Sequence, residues 1–148
     1  MKVSLQTDDN LNEIEIVIKC QQPTPRVERI ISLLRILDLQ LTGKKNGETH
    51  ILDIEQVLYG ETVERKLFLY TLDGVYETNL KLYELEERLS SIGFLRISKS
   101  TIVNLARVKS LKSDMNRKIR LTLEGNEKLI VSRQYAEIFK KRLGGSNG

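Results

Sequence analysis

The chain has 148 residues, of which 40% are hydrophobic and 30% are charged, and its formal net charge is +4. This size and composition fit one domain, or a domain of about 100 residues with an appendage, and argue against a disordered chain. A single cysteine, Cys20, excludes an internal disulfide, and no apolar run approaches the ~18 residues that span a bilayer. No targeting segment is visible, so we expect a cytoplasmic protein.

The first 45 residues predict a strand followed by a helix. Ile14, Ile16 and Ile18 alternate with other residue types, and this period of two is typical of a strand. Thr24 can cap a helix whose first residue is Pro25, because proline lacks only an N–H that would be unpaired there. The apolar residues that follow at helical spacing are Val27, Ile30, Ile31, Leu34 and Leu37.

A turn or linker predicted at residues 43–47 divides the chain into 1–45 and 46–148, and the second part has mostly β patterns. The Asp73-Gly74 pair between two strand-like runs favours a hairpin. One helix is expected before Gly93 and another after Ser132, with Tyr135, Ile138, Phe139 and Leu143 as its inner face. The predicted strands cover residues 51–58, 66–71, 75–80, 107–112, 117–123 and 128–131.

Charge is separated along the chain. Residues 94–148 contain 13 Lys and Arg and 4 Asp and Glu, whereas residues 1–93 contain 11 and 16. A cationic half of this kind is typical of proteins that bind nucleic acid. Because neither late helix is a basic amphipathic helix suited to a major groove, loops that project from a β framework are the expected DNA contacts.

Ordered sequence motifs in residues 51–143 resemble the LytTR DNA-binding domain of LytR/AlgR-type bacterial transcription regulators. The resemblance implies a mostly β (α+β) fold, elongated and antiparallel, with short helices. It also implies loops in successive major grooves of double-stranded promoter DNA, at paired direct repeats, as in response-regulator output domains. The matching segments are Ile54–Glu61, Thr71–Thr78, Leu85–Leu89, Gly93–Ser100, Ile102–Leu105 and Val131–Tyr135.

The resemblance places candidate DNA contacts at three positions in the chain. Lys99, with Ser98 and Ser100, lies in the family's contact loop, and Arg133, with Gln134, begins the last helix. Arg65 or Lys66 belongs to a third contact region. Their charge alone predicts that Arg117 and Lys118 either contact phosphates or form the solvent-exposed face of a strand. Arg133 has the alternative of pairing with Glu137, while Asn104 is predicted to be structural and Ser132 to be a helix cap.

Two departures from the family pattern limit what the resemblance implies. Many members have histidine where this chain has Ser98, so a histidine contact is not assumed. Many also follow a receiver domain, whereas only about 45 residues precede the resemblance here, so we expect no receiver phosphorylation within this chain. Those residues could extend the sheet, make a dimer contact or bind an inhibitor. The expected partners are a second copy on direct repeats and a regulatory membrane protein.

Other classes of function have less support in the sequence. The sole histidine, His50, has no cysteine near it at metal-ligand spacing, and no nucleotide loop or nucleophile motif is present. We therefore expect no enzyme, metal, cofactor or small-molecule substrate. The main rival is an adaptor whose basic half binds an acidic protein. RNA binding is a second rival, disfavoured by the few aromatic residues.

Overall fold

The computed structural model describes residues 1–38 and 41–144, which form ten strands, three α-helices and short 3-10 turns. The helices are α1 (Pro25–Asp38), α2 (Leu82–Leu89) and α3 (Arg133–Gly144). The strands are β1 (Leu41–Lys45), β2 (Glu48–Leu52), β3 (Val57–Val63), β4 (Lys66–Thr71), β5 (Val75–Thr78), β6 (Phe94–Arg96), β7 (Thr101–Asn104), β8 (Val108–Ser113), β9 (Ile119–Leu123) and β10 (Lys128–Val131).

The strands form two antiparallel sheets. The large sheet has the order β2-β1-β5-β4-β3-β7-β6, and the small sheet has the order β10-β9-β8. In the large sheet β3 is an interior strand that pairs with β4 on one side and β7 on the other. The predicted fold class, mostly antiparallel β with short helices, is confirmed.

Near β3 and β7 the large sheet is buried on both faces, because these strands alternate apolar residues between two cores. On β7, Ile102 points to the first core and Val103 to the second. The first core lies under α2, where Leu85 and Leu89 are fully buried. The second core is covered by the small sheet and α3, which contributes Phe139. The arrangement fixes the small sheet and α3 against one face of the large sheet.

Most predicted elements are present, with differences at their ends and faces. The predicted strand of residues 51–58 is two strands, β2 and β3, separated by a 3-10 turn at Ile54–Gln56. The prediction for the last helix was wrong at Ile138 and Leu143, which are 55% and 40% exposed, while Ala136 is buried instead. Apolar residues at helical spacing identify a helix but do not fix which side meets a neighbouring sheet.

The N-terminal region differs most from the prediction. The helix α1 begins at Pro25 as expected, and the Thr24 hydroxyl accepts a hydrogen bond from the Val27 N–H over 3.3 Å. The strand predicted around Ile16 is absent, since residues 1–24 contain no strand at all. A strand needs a neighbour to pair with, and residues 1–38 and 41–144 provide none for this segment. The division into two units stays a prediction, and β1 belongs to the same sheet as the later strands.

Candidate nucleic-acid interface

Four chain segments meet at one end of the two sheets. The β3–β4 turn and the β6–β7 loop lie side by side, because Glu61 pairs with Thr101 and the Thr62 N–H donates to the Ser100 carbonyl over 2.8 Å. The start of α3 lies next to this loop, since the Ser132 N–H donates to the Ile97 carbonyl over 2.9 Å. The β8–β9 turn at Met115–Arg117 contacts α3. All four segments therefore face the same side.

Three of these segments enclose an open groove of about 590 Å³. Every side chain that lines it has a hydrogen-bond donor, and none is a carboxylate. Hydrogen-bond donors and cationic head groups in this arrangement suit an extended anion. We call this surface the cationic groove. Its lining residues are Ser98, Lys99, Ser100, Asn116, Lys118, Ser132, Arg133 and Gln134.

The loop that carries Lys99 is held by a single guanidinium. Arg96 Nε donates to the Ser98 carbonyl over 2.8 Å, and Arg96 Nη2 donates to the Lys99 carbonyl. Arg96 Nη1 lies 3.3 Å from Glu86 Oε1 on α2, and the Arg96 side chain is only 20% exposed. A charged group fixed to two carbonyls and a carboxylate leaves the loop little freedom, so the backbone that presents Lys99 is fixed in place.

Hydroxyl groups form further hydrogen bonds within the same loop and to its neighbouring strand. The Ser98 hydroxyl accepts from the Ser100 N–H over 3.2 Å, and the Thr101 hydroxyl donates to Glu61 over 3.3 Å. The Ile97 N–H donates to the Thr101 carbonyl over 3.0 Å. Ser98 and Ser100, which the sequence suggested as contact residues, thus stabilise the loop and also line the cationic groove.

The β8–β9 turn adopts a backbone that few residues accept. Asn116 and Arg117 have φ values of 59° and 64°, in the left-handed region that asparagine tolerates better than most residues. Asp114 begins the turn by accepting from the Met115 N–H over 2.8 Å, and it lies 3.2 Å from Arg120 Nη2. The Met115 N–H and then the Arg120 charge hold the pKa of Asp114 below its usual value. The carboxylate therefore stays ionised, and its hydrogen bond and ion pair stabilise the turn.

The third predicted contact region lies beside the cationic groove but does not line it. Arg65 is at the tip of the β3–β4 turn, with a φ of 69°, and is exposed. Lys66 begins β4, and its Nζ lies 3.6 Å from Glu77 Oε1 on β5. An exposed ion pair of this kind contributes little to stability, so it does not commit Lys66 to Glu77.

The structure brings together six of the nine predicted site residues in the cationic groove: Ser98, Lys99, Ser100, Lys118, Arg133 and Gln134. Arg117 lies in the adjoining turn, and Arg65 and Lys66 lie on the neighbouring hairpin. In residues 1–38 and 41–144, no carboxylate lies within ion-pair distance of Lys99, Lys118 or Arg133. The alternative pairing of Arg133 with Glu137 is therefore not formed.

Sequence reasoning missed one residue that lines this surface and one that positions it. Asn116 lines the groove. An asparagine in a short polar turn favours a left-handed backbone conformation, and this signal could have identified the residue. Arg96 carried no such signal, because its role depends on three partners that only the fold brings to it. By contrast, the structural prediction for Asn104 is confirmed. Its amide donates to the Val57 carbonyl over 2.9 Å and accepts from the Ala106 N–H over 3.1 Å.

Comparison with known proteins identifies the family of this fold. The sequence model of the LytTr DNA-binding domain matches residues 47–144, which include every residue that lines the cationic groove. The chain belongs to the LytTr DNA-binding domain family. A solved LytTr DNA-binding domain from Bacillus cereus superposes with a TM-score of 0.68 and 27% identity, and the match covers 71% of this chain and 96% of that one.

Relatives from Staphylococcus aureus match nearly the whole of this chain. An uncharacterized HTH-type transcriptional regulator of Staphylococcus aureus (strain NCTC 8325 / PS 47) is 32% identical over 97% of this chain and 98% of its own length. A regulator with the same description in strain MRSA252 is 31% identical over the same shares. The similarity thus extends over the N-terminal residues that precede the LytTr match.

The helix-turn-helix in those descriptions does not correspond to the fold of this LytTr chain. A helix-turn-helix needs two helices joined by a short turn. Over residues 1–38 and 41–144, strands separate each α-helix from the next. None of the helices in these ranges combines the length and apolarity needed to cross a membrane.

Proposed function

We propose that this LytTr protein is a bacterial transcription regulator that binds double-stranded promoter DNA sequence-specifically. The observation that carries the proposal is the cationic groove, with eight hydrogen-bond donor side chains and no carboxylate at one end of a rigid double sheet. Phosphate contacts would supply affinity, and side chains that reach base edges would supply specificity. The family assignment and the descriptions of the staphylococcal relatives support the same conclusion.

Each part of the groove has a distinct role in this proposal. Arg133 begins α3, where the positive end of the helix dipole adds to its charge. Its guanidinium can bind guanine or a phosphate through two parallel hydrogen bonds. Lys99 and Lys118 extend from the two flanking loops as point charges for the backbone. The protein has no catalytic role in this account and acts by occupying its site on the DNA.

The β3–β4 hairpin provides the third contact region. Arg65 and Lys66 lie at the same end as the cationic groove but outside it, so one duplex laid along this end would meet both. This arrangement supports binding to successive major grooves from one side of the duplex. Because the proposed target is bacterial DNA, the protein would work in the cytoplasm. Binding to paired direct repeats and restraint by a membrane protein stay predictions from the family resemblance.

Selection of bound sites from random duplex DNA tests this proposal. We expect enrichment of a short motif in two copies with the same orientation, about one helical turn or a multiple of it apart. Binding of the gene's own upstream region should then exceed binding of random duplex in a gel shift. Enrichment of no motif would contradict sequence-specific binding. An inverted repeat would overturn the direct-repeat arrangement alone.

A further inference from the structure

The N-terminal segment of residues 13–19 has an apolar edge that the other described residues leave largely exposed. Ile14 is 91% exposed and Ile16 is 60% exposed, while Ile18 is half-buried. These three residues alternate along the chain at the spacing of a strand, yet residues 1–24 contain no strand. Single exposed apolar residues are common, but a contiguous row of isoleucines marks an interaction surface.

We propose that residues 13–19 pair with the same residues of a second copy, as a two-stranded antiparallel ribbon centred on Ile16. In this register Ile16 lies opposite Ile16 of the partner, and Ile14 lies opposite Ile18. Glu13 lies opposite Lys19 at both ends, so the charges are complementary as well as the apolar residues. Moving the register by one residue would place Ile14 opposite Lys19, so both the isoleucine pairing and the charge pairing would be lost.

The helix that follows provides a cover for the isoleucine face of the ribbon. A two-stranded ribbon alone is marginal in water, so one face must pack on another layer. Residues 20–24 join the segment to α1, whose Leu33 is 49% exposed. Four further apolar residues of this helix are only half-buried: Val27, Ile30, Ile31 and Leu34. Two strands and two helices, one of each from either copy, therefore complete a two-layer unit.

This contact lies outside residues 47–144, so it is separate from the proposed DNA binding. Identical segments that pair in this way are related by a two-fold axis. On a direct repeat the two DNA interfaces point in the same direction along the duplex and are not related by this two-fold axis. The ribbon therefore joins the two copies but does not set the orientation of their DNA interfaces. A chain that fails to dimerise would still bind a single half-site if the proposed function is correct.

Sedimentation velocity of the full chain tests the dimer. We expect a dimer at micromolar concentration, and Ile16→Asp should raise its dissociation constant about 100-fold, because two like charges then meet at the centre. Leu5→Asp is the matched control, since Leu5 is 90% exposed but lies outside the ribbon, and it should sediment like the unmodified chain. A monomeric unmodified chain, or an Ile16→Asp variant that remains dimeric, would overturn the proposal.

The register is tested by charge exchange and by cross-linking. Glu13→Lys and Lys19→Glu should each weaken the dimer, and the double variant should restore it. In a Cys20→Ser background, Ile16→Cys should form an intermolecular disulfide, because opposite Cα atoms lie about 4.5–5.5 Å apart. Leu5→Cys in the same background is the control and should not cross-link. Failure of the double variant to restore the dimer, or equal cross-linking of both cysteine variants, would overturn this register.

Discussion

Arg96 Nε donates to the backbone carbonyl of Ser98 over 2.8 Å, and the same guanidinium reaches the carbonyl of Lys99. A third partner, Glu86 on α2, holds the guanidinium from the other side. The position of Lys99 in the cationic groove therefore depends on a residue that does not line the groove. Arg96 is a positioning residue for the interface, and its effect on DNA binding would pass through the backbone of the loop.

Replacing Arg96 by alanine should weaken DNA binding about 10-fold or more, since one lost contact is worth roughly 1–3 kcal/mol. Fluorescence anisotropy with a selected duplex measures this. Arg107→Ala is the matched control, because Arg107 Nε donates to the Glu55 carbonyl over 2.6 Å and Nη1 lies 2.9 Å from Glu124. Arg107 follows β7 at the end remote from the groove. Equal loss of affinity in both variants would show a general structural effect.

Arg133→Ala should reduce DNA affinity by about 1–3 kcal/mol and relax the preference at one base pair, if the guanidinium reads a base. Its thermal midpoint should not change, because Arg133 is exposed and makes no ion pair in the described residues. Arg88→Ala, an exposed arginine in the last turn of α2, is the control. Affinity that falls equally on all sequences would instead assign Arg133 to a phosphate.

The sequence predicted the elements of the LytTr domain better than it predicted their relationships. Hairpin turns and helix ends follow from local patterns, since glycine, capping residues and period-two runs act over a few positions. The candidate contacts Lys99 and Arg133 are instead predicted from the family resemblance. The exposed side of α3 and the role of Arg96 depend on packing between distant segments. The predicted strand at residues 14–18 shows the same limit, because strand pairing requires a partner that the pattern does not identify.

Asn104 should prove to be a stability residue and not a contact residue. It is 4% exposed, and its amide satisfies the Val57 carbonyl and the Ala106 N–H. Asn104→Leu leaves both backbone groups without this partner, which should lower the free energy of unfolding by about 2–4 kcal/mol. Urea denaturation measures the change, with the exposed Asn79→Ala as control. A destabilisation below about 1 kcal/mol would contradict the structural role.

Tyr59 should make stability decrease in alkali. Burial, followed by the charge of Glu127, which accepts from its hydroxyl over 3.1 Å, raises the pKa of Tyr59 well above its usual value. The unfolded chain releases this proton near pH 10 while the folded chain retains it. The contribution of Tyr59 to the free energy of unfolding is therefore complete below about pH 10 and is lost as the pH rises further toward the folded-state pKa.

The comparison of Tyr59→Phe with the unmodified chain isolates this effect from the titration of lysines and other tyrosines. Urea unfolding at about pH 8 and pH 11 gives the two stability differences. We expect the advantage of the unmodified chain over Tyr59→Phe to be smaller at pH 11. The ring stack with Tyr70, at 4.3 Å between centroids, remains available to phenylalanine. An advantage that is unchanged between the two pH values would show that Tyr59 does not titrate as inferred.

Salt dependence distinguishes DNA from the rival acidic protein partner. Contacts to ~4–6 phosphates predict a slope of about −4 to −5 for log K against log salt concentration, since each neutralised phosphate releases counterions. Lys118→Gln should make this slope shallower by about 1 if Lys118 contacts a phosphate. Lys128→Gln is the control, because Lys128 is exposed in the same basic half but begins β10, at the opposite end of that strand from the groove. A shallow slope that neither substitution alters would favour the protein partner over the duplex.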